Sequence, residues 1–289
     1  MPELPEVEVV KRSLESSISD LSIKGVKINE TNLRYKVKKH KINQIIGLKI
    51  LHIKRRSKYL LFFFDKRIVM IAHLGMTGKF FIINKKNIKK KTSFYYNLNN
   101  AKDNKHDHII FNFSNGTKLV YNDVRKFGFI KFDTFSKFKE NPHLKYLGPE
   151  PLDRFFNFKY FKDNIKKKKG IIKNLLMNQK FVSGLGNIYV NEILYISGVR
   201  PNRKINKLKD CDIKKILKNT KIVLIKAIAL GGSSIKNFST VNGKTGSFQQ
   251  YFKVYARSGK ECSNSDCKQK IEKVVISNRA SFFCSKCQK

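Results

Sequence analysis

The first residues of the chain place a proline beside two carboxyl groups, a combination that can do covalent chemistry. They read MPELPE (1–6), and removal of Met1, usual before a small residue, would leave Pro2 with a free secondary amine. An α-amino group has an ordinary pKa of about 7.7–8.0, so a usable fraction is neutral at physiological pH. A neutral amine with the Glu3 carboxyl beside it can attack an electrophilic carbon and form an iminium. On these residues alone, a purely structural role at a helix start is equally open.

Cysteines near the end of the chain have the spacing of metal ligands. They follow the pattern C-x4-C-x16-C-x2-C, formed by Cys262, Cys267, Cys284 and Cys287. Four thiolates in two pairs on an antiparallel hairpin make a closed tetrahedral zinc site, which is structural because no position is left for water. Four unpaired buried thiols are the alternative. The sequence therefore predicts one structural Zn²⁺ per chain, and we interpret the distant Cys211 as a buried or half-buried thiol.

The charge of the chain is strongly positive. It holds 61 Lys and Arg against 21 Asp and Glu, a net charge of +40 that indicates a polyanionic partner. An AT-rich genome also enriches Lys, Asn, Ile and Phe, so the charge cannot choose among DNA, RNA and the ribosome. We find neither an uncharged apolar run long enough to span a membrane nor the pattern of a signal peptide. We therefore expect a cytoplasmic protein without a membrane partner.

The elements that must position these residues differ between the two halves of the chain. Apolar residues at helical spacing predict a helix after Pro5, with Glu3 and Glu6 at the positive end of its dipole. From about residue 22 to 135, short β-rich runs separated by turns are typical of a β-sandwich. Proline and glycine in 136–152 predict a linker, and helical periodicity then extends to about residue 230. The glycine-rich segment 231–250 is predicted to be a mobile loop.

Segments along the whole chain resemble the bacterial formamidopyrimidine-DNA glycosylase family nearly end to end, in the same order. The segments are MPELPEVE (1–8), RRSKYLLF (55–62), HLGMTGKF (73–80), KHDHIIF (105–111), YNDVRKFG (121–128), LGPEPL (147–152), VSGLGNIYVNEIL (182–194), GGSSIKNF (231–238) and the cysteine tail (262–287). The resemblance implies a bifunctional DNA glycosylase and AP lyase of base excision repair. Its expected partner is damaged double-stranded DNA, from which it would excise oxidised purines, chiefly formamidopyrimidines and 8-oxoguanine. We further expect the protein to be bacterial, associated with the nucleoid while it acts on DNA, and monomeric.

The resemblance also implies a fold and a domain organisation. The expected fold class is α+β: an N-terminal β-sandwich with an N-terminal helix, then a helix–two-turn–helix domain that ends in a β-hairpin zinc finger. The expected boundaries are 1–135 for the catalytic sandwich, 136–152 for the linker, 153–250 for the helix–two-turn–helix domain with a lesion-capping loop, and 251–289 for the zinc finger. The family's usual first cysteine pair is C-x2-C, so the wider x4 loop is a departure.

The catalytic roles implied by the resemblance centre on Pro2. Its amine would attack the anomeric carbon of a flipped nucleotide, while Glu3 protonates the sugar ring oxygen or the departing base. Lys58 and Arg279 would assist the eliminations as proton donors or phosphate anchors, and Glu6 would support the site. On sequence alone, Lys58 is also compatible with a charged strand edge and Arg279 with one more solvated cation.

The DNA-binding roles begin with three residues expected to fill the gap that a flipped nucleotide leaves. Met76 and Phe127 suit an apolar wedge, and the Arg125 guanidinium suits the Watson–Crick edge of the orphaned cytosine. Without the resemblance, Met76 and Phe127 would be interpreted as core residues. The family's usual Pro-Arg-Arg-Phe reads VRKF (124–127) here, which preserves the Arg and Phe positions.

Further DNA contacts are expected from residues that match basic or polar positions of the family. His106, Lys168 and Lys173 match such positions, and Asn187 matches the phosphate-binding Asn at the helix–two-turn–helix motif. By its own chemistry, Asn187 is also predicted to be a helix N-cap beside an anion-binding set of amides. Lys236 is a candidate for the lesion-capping loop.

Two other functions stay open at this point. One is the sister glycosylase for oxidised pyrimidines, which shares the fold, the Pro-Glu start and the zinc hairpin. Leu4 and the HLGMTG and VRKFG segments favour the purine enzyme. The other is a non-enzymatic basic zinc-ribbon protein that binds nucleic acid, which would lack a Pro2 amine that can be trapped on DNA.

Overall fold

The computed structural model describes residues 1–86, 89–92, 103–166, 168–233 and 248–289. The chain forms two compact units. Unit 1 comprises Met1–Lys145 and Gly231–Ser247, of which residues 231–233 are described, and unit 2 comprises Tyr146–Leu230 and Phe248–Lys289. The change of unit after Lys145 falls inside the expected linker, and the described residues 231–233 belong to unit 1.

Unit 1 opens with helix α1 (Leu4–Ile18). The apolar residues at helical spacing, Val7, Val10, Leu14 and Ile18, are buried, as their periodicity predicts. The first turn is closed by the Glu6 carboxylate, which accepts the backbone N–H of Glu3 at 2.8 Å. Pro5 lies in this first turn, where its missing N–H costs no helical hydrogen bond. The helix start thus places residues 2 and 3 at a defined point of the unit.

The rest of unit 1 consists mainly of antiparallel strands. In chain order the elements are β1 (Ile23–Ile28), α2 (Lys39–Asn43), β2 (Ile50–Arg56), β3 (Tyr59–Phe64), β4 (Ile68–His73), β5 (Lys79–Ile83), β6 (Lys89–Lys91), β7 (Asp107–Phe113), β8 (Lys118–Asn122) and β9 (Phe129–Thr134). Their described residues form a five-stranded sheet in the order β1-β7-β8-β5-β6 and a four-stranded sheet in the order β2-β3-β4-β9. Both sheets and α1 contribute to one apolar core, so the expected β-sandwich is confirmed.

Unit 2 is helical and ends in a β-hairpin. Its elements are α3 (Phe158–Ile165), α4 (Ile172–Met177), α5 (Asn187–Ile196), α6 (Asp210–Ala229), β10 (Glu272–Ile276) and β11 (Arg279–Phe283). The hairpin turns at Ser277 and Asn278, whose φ angles are 49° and 58°. Positive φ at both central residues is the geometry of a two-residue type I′ turn, which matches the twist of the flanking strands. The turn places Arg279 first on the returning strand.

The helices that the structure describes include no candidate for a membrane span. None of them is both long and apolar enough to cross a bilayer.

Candidate active site and DNA interface

The residues that follow Met1 in unit 1 are buried and include acidic side chains, whereas Met1 itself is 44% exposed. Pro2 is buried, and Glu3 and Glu6 are 4% and 1% exposed. Burial lowers the pKa of the N-terminal amine below 8.0, and the positive charges of Lys58 and Arg125 act in the same direction. The carboxylates of Glu3 and Glu6 oppose this shift. In the full chain this amine belongs to Met1. Removal of Met1 would make Pro2 the terminal residue, and its amine would then lie in the buried part of this site.

Glu6 joins the first turn of α1 to the segment that follows α6. Its Oε1 accepts the backbone N–H of Ser233 at 2.8 Å and the Ser233 hydroxyl at 2.9 Å. Gly232 has a φ of +79°, and a Cβ there would lie 3.0 Å from Glu6 Oε1. The glycine therefore allows the backbone to approach the carboxylate closely. Sequence reasoning gave Glu6 a supporting role but did not find Ser233 as its partner.

Lys58 lies at the turn between β2 and β3 and is 6% exposed. The turn is tied to helix α1 through Arg55. Its Nε donates to Glu8 Oε2 at 2.9 Å, and its Nη1 donates to the Ser57 carbonyl at 2.9 Å. The Arg55–Glu8 pair therefore sets where Lys58 lies relative to the helix that begins beside Pro2. Sequence reasoning missed this pair, because nothing local shows which carboxylate a strand arginine meets.

The three residues expected to fill the gap left by a flipped nucleotide, Met76, Arg125 and Phe127, lie on two loops of unit 1. Met76 and Phe127 are 41% and 44% exposed, so neither is a core residue. The Arg125 guanidinium lies 4.5 Å from the centroid of the Phe127 ring, a cation–π contact. The structure thus presents an apolar ring and a guanidinium side by side, the chemistry that a gap-filling site needs.

The two histidines next to these loops have different surroundings. His106 is half-buried at the end of a short 3-10 turn before β7. His108 is buried, and its Nε2 lies 2.7 Å from the Asp123 carbonyl. Since a carbonyl only accepts hydrogen bonds, Nε2 of His108 carries the proton. His106 is therefore placed near the Arg125 loop, whereas His108 is part of its support.

In unit 2, the hairpin of β10 and β11 is held by polar side chains of α4 and α5. Asn187 Nδ2 donates to the Ala280 carbonyl at 2.9 Å. Lys173 is 1% exposed, and its Nζ donates to the same carbonyl at 3.1 Å and to Ser281 Oγ at 2.6 Å. These bonds meet next to the exposed Arg279. Lys173 therefore supports the backbone of the hairpin. It is buried and does not lie on the DNA-binding surface where the resemblance placed it.

Two further expectations concern the surface of unit 2. The predicted N-cap role of Asn187 is wrong: the N-cap is Gly186, and α5 begins at Asn187, whose amide is used by the hairpin. Lys168 is exposed, and its Nζ lies 5.2 Å from the centroid of the Phe181 ring. Lys236 and most of the expected lesion-capping loop lie outside the described residues.

The four cysteines of the tail converge as their spacing predicted. Sγ atoms of all four lie within 4.8 Å of one another, with 3.7 Å between Cys262 and Cys287 and 3.6 Å between Cys267 and Cys284. A tetrahedral site with Zn–S bonds of about 2.3 Å needs sulfurs roughly 3.8 Å apart. The residues therefore fit a metal ion. Cys211, expected to be buried or half-buried, is instead exposed on α6.

Each unit thus carries some of the candidate residues. Unit 1 gathers Pro2, Glu3 and Lys58 with the Arg125 loop around the terminal amine. Unit 2 presents Arg279 from a hairpin that is bound to the start of α5.

Comparison with known proteins agrees with this geometry. The family model described as formamidopyrimidine-DNA glycosylase N-terminal domain matches residues 1–130, and the one described as formamidopyrimidine-DNA glycosylase H2TH domain matches residues 147–239. A formamidopyrimidine-DNA glycosylase of Rickettsia bellii (strain OSU 85-389) is 40% identical over 289 residues, which cover 100% of both chains. One of Rickettsia africae (strain ESF-5) is 38% identical over 288 residues, 100% of this chain and 99% of the relative.

Solved structures show the same similarity. The Lactococcus lactis enzyme in complex with an abasic site containing DNA matches with a TM-score of 0.84 and 33% identity, covering 99% of each chain. A mutant of that enzyme with a Fapy-dG containing DNA matches with a TM-score of 0.85 and 34% identity over 100% of each chain. Since both family domains and full-length relatives match, the expected family is confirmed. The chain belongs to the formamidopyrimidine-DNA glycosylase family of base-excision-repair enzymes.

Proposed function

We propose that this enzyme is a bifunctional DNA glycosylase and AP lyase, with Pro2 as its nucleophile. Its substrates are oxidised purines, chiefly formamidopyrimidines and 8-oxoguanine, in double-stranded DNA of the bacterial cytoplasm and nucleoid. The observation that carries this proposal is the environment of the chain start: Pro2 is buried, and the amine that Met1 carries in the full chain has a pKa lowered by burial and by Lys58, with Glu3 and Glu6 beside it. The named relatives, and the damaged DNA in complexes of the Lactococcus lactis enzyme, support the substrate class.

The first step is displacement of the damaged base. The neutral Pro2 amine attacks the anomeric carbon of the flipped nucleotide, and a carbon–nitrogen bond forms there. Glu3 supplies a proton to the sugar ring oxygen or to the departing base, so the base leaves without carrying negative charge. Loss of the amine proton and opening of the sugar ring give the covalent iminium. Glu6 accepts the backbone N–H of Glu3 and so holds Pro2 and Glu3 in place.

The second step is cleavage of the strand. The iminium acidifies the neighbouring sugar carbon, and successive β- and δ-eliminations release the phosphates on both sides of the lesion. Lys58, buried beside the terminus, serves as a proton carrier or phosphate anchor in unit 1. Arg279 of unit 2 serves as a phosphate anchor, a role that suits an exposed guanidinium on a fixed hairpin.

Recognition of the duplex divides between gap filling and phosphate contact. Met76 and Phe127 fill the space left by the flipped nucleotide, and Arg125 donates to the opposite cytosine. His106, Lys168 and Asn187 contact the DNA backbone. The net charge of +40 adds a general attraction to the duplex. The enzyme acts as a monomer.

The four cysteines hold one structural Zn²⁺ per chain. The separation of their sulfur atoms fits a closed tetrahedral site. The ion, when bound, cross-links the tail and supplies no chemistry to the reaction. The hairpin of β10 and β11, which presents Arg279, lies between the two cysteine pairs, so the ion would tie its two ends together.

Borohydride trapping tests the proposed function. Borohydride reduces an iminium to a stable amine, so the enzyme should cross-link to a duplex with 8-oxoguanine opposite C. The parallel substrate carries thymine glycol opposite A. Faster trapping on thymine glycol would identify the sister activity on oxidised pyrimidines, and an absence of trapping on both would identify a binding protein without catalysis.

The position of the covalent bond is a separate measurement. Mass spectrometry should show that the purified protein lacks Met1 and that the cross-linked peptide begins with Pro2. The Pro2→Gly variant should keep some DNA binding and lose most of the lyase activity. A full yield of cross-link in a protein that retains Met1 would rule out Pro2 as the nucleophile.

A further inference from the structure

The loops that carry Met76 and Phe127 are packed backbone against backbone, which requires glycine at their contact. Gly75 has a φ of +59°, and a Cβ there would lie 2.5 Å from the backbone N of Gly128 and from the carbonyl carbon of Phe127. A Cβ at Gly128 would lie 2.0 Å from the Tyr121 hydroxyl and 2.5 Å from the His73 carbonyl. A side chain at Gly75 would therefore push the two loops apart, and one at Gly128 would displace the Tyr121 hydroxyl and the end of β4. The loops therefore form one unit.

A single buried carboxylate connects these two loops. Asp123 is 0% exposed, and its Oδ1 accepts the hydroxyl of Thr77, the residue after Met76, at 2.5 Å. Its Oδ2 accepts the backbone N–H of Gly128, the residue after Phe127, at 2.8 Å. The Tyr121 hydroxyl donates to the same oxygen at 3.2 Å. One carboxylate thus fixes the residue next to each arm of the expected wedge.

Arg125 is joined to the same network through its backbone. Its N–H donates to Thr77 Oγ1 at 3.0 Å, so the Thr77 hydroxyl accepts from one loop and donates to Asp123. The backbone of Asp123 is held in turn by the start of β7 and the turn before it: its N–H donates to the carbonyl of His106, at the end of that turn, at 3.1 Å, and its carbonyl accepts from Nε2 of His108, in β7, at 2.7 Å. Because buried hydrogen-bonded networks are rigid when all members are satisfied, this network fixes the base of the loop.

We propose that Asp123 and Thr77 are positioning residues that hold Met76, Arg125 and Phe127 in register with one another. The consequence is that discrimination of the base opposite the lesion depends on the Thr77 hydroxyl, although this group has no place in the chemistry at Pro2. This inference rests on the proposed function, in which Arg125 donates to the opposite cytosine. The exposed guanidinium and ring cannot select a partner base unless the backbone beneath them has one conformation.

The test compares Thr77→Val with Thr77→Ser. Valine has nearly the shape of threonine but removes both the donor to Asp123 and the acceptor for the Arg125 N–H, whereas serine keeps the hydroxyl. The readout is the dissociation constant for duplexes that carry a tetrahydrofuran abasic analogue opposite C or opposite A. Thermal unfolding of both variants reports any general loss of stability, and trapping of the wild type on 8-oxoguanine DNA reports the proposed function separately.

The expected result is a change in the ratio of the two dissociation constants. Thr77→Val should lower the preference for C over A by roughly five- to tenfold, as partial loss of a base-edge contact would. Thr77→Ser should stay within about twofold of the wild type. Adding Thr77→Val to Arg125→Ala should cause no further loss of preference, because two changes in one network are not additive.

Several outcomes would overturn the inference. They are an unchanged ratio in Thr77→Val, an equal loss in Thr77→Ser, or a wild type that does not distinguish C from A. Failure of the wild type to be trapped on DNA would overturn the proposed function instead. In that case, a Thr77→Val change in the binding ratio would still support the positioning role.

Discussion

A secondary amine attacks carbon only when it is unprotonated, so the charges around Pro2 matter as much as its place at the chain terminus. Burial lowers the pKa of the amine that Met1 carries in the full chain, and Lys58 and Arg125 lower it further. Glu3 and Glu6 raise it, because a neighbouring carboxylate favours the protonated amine. In the proposed mechanism, the site therefore balances, at the scale of single residues, a carboxyl group that would transfer a proton against cations that would keep the Pro2 amine neutral.

This balance predicts opposite shifts of the pH profile for two variants. Lys58→Gln removes a positive charge, so the pKa of the amine should rise. As the pH is lowered, the rate of the variant should therefore begin to fall at a higher pH than that of the wild type. Glu3→Gln removes a negative charge, so the amine pKa should fall and activity should persist to lower pH. The measurement is the rate of borohydride trapping on DNA with a pre-formed abasic site, which needs no base excision.

The control for these variants is Lys54→Gln, on the exposed side of the same hairpin. It changes the net charge of the protein by the same amount as Lys58→Gln. The inflection of its pH–rate profile should stay at the pH of the wild type. Shifts of Lys58→Gln and Glu3→Gln in the same direction would show that the terminal amine is not the group that titrates.

At the scale of the elements, the loop that carries Met76 depends on a neutral histidine. His73 ends β4, and its Nδ1 accepts the backbone N–H of Gly75 at 3.0 Å. Burial, reinforced by the nearby charge of Lys58, lowers the pKa of His73 from 6.5 to about 4. A protonated ring could not accept this hydrogen bond and would be buried as a cation.

We therefore predict a pH dependence of stability that belongs to His73. Between pH 6.5 and 4 the unfolded chain binds a proton that the folded chain does not, so stability falls as the pH falls through this window. The contribution is up to about 3 kcal/mol, since one pKa unit corresponds to roughly 1.4 kcal/mol. His73→Asn keeps an acceptor but cannot titrate. Urea unfolding should give wild-type and variant curves that converge at low pH, and parallel curves would contradict this account.

The hairpin that presents Arg279 depends on the cysteines that precede and follow it. We predict about one zinc per chain by metal analysis of the wild type. Cys284→Ser should lose the zinc, disorder the hairpin and abolish tight DNA binding, because Arg279 is then no longer held. Cys211→Ser is the matched control, since this thiol is exposed on α6, and it should keep both zinc and affinity. Normal DNA affinity in a zinc-free protein would count decisively against this role.

At the scale of the whole molecule, a net charge of +40 raises the question of which basic residues carry specificity. Most of them contribute only to phosphate attraction, which is independent of sequence and weakens with salt. Arg125 differs because its guanidinium lies against the Phe127 ring on a supported loop. Charge in general and recognition of the opposite base can therefore be separated by experiment.

A salt series on two variants makes this separation. Arg125→Ala should reduce discrimination between C and A opposite 8-oxoguanine, a loss of roughly 1–3 kcal/mol for a base-edge contact. Lys168→Ala should weaken binding to all duplexes alike and flatten the salt dependence by about one unit of slope. The measurements are excision rate and affinity for both pairings. If Arg125→Ala weakened binding to both pairings equally, the VRKF segment would have no role in recognition of the opposite base. Val124 and Lys126, which differ from the family's usual Pro-Arg-Arg-Phe, would then be the first residues to examine.

What the amino-acid sequence by itself determined is local in origin. Helix α1 follows from four apolar residues at helical spacing and a proline in the first turn. The cysteine cluster follows from two short pairs on one hairpin. Such features need only neighbours along the chain, so periodicity and spacing predict them. The motifs of the family, read in order, also predicted the fold and the class of enzyme.

Tertiary structure alone decided which side chains support these residues. Thr77 and Asp123 are 46 residues apart, Lys173 and Ala280 are 107 apart, and Glu6 and Ser233 are 227 apart. Partners at such separations are set by the register of the strands and the packing of the loops, which no local pattern contains. For the same reason, Asn187 matched a helix cap in sequence, yet its amide binds the hairpin carbonyl that the fold brings to it.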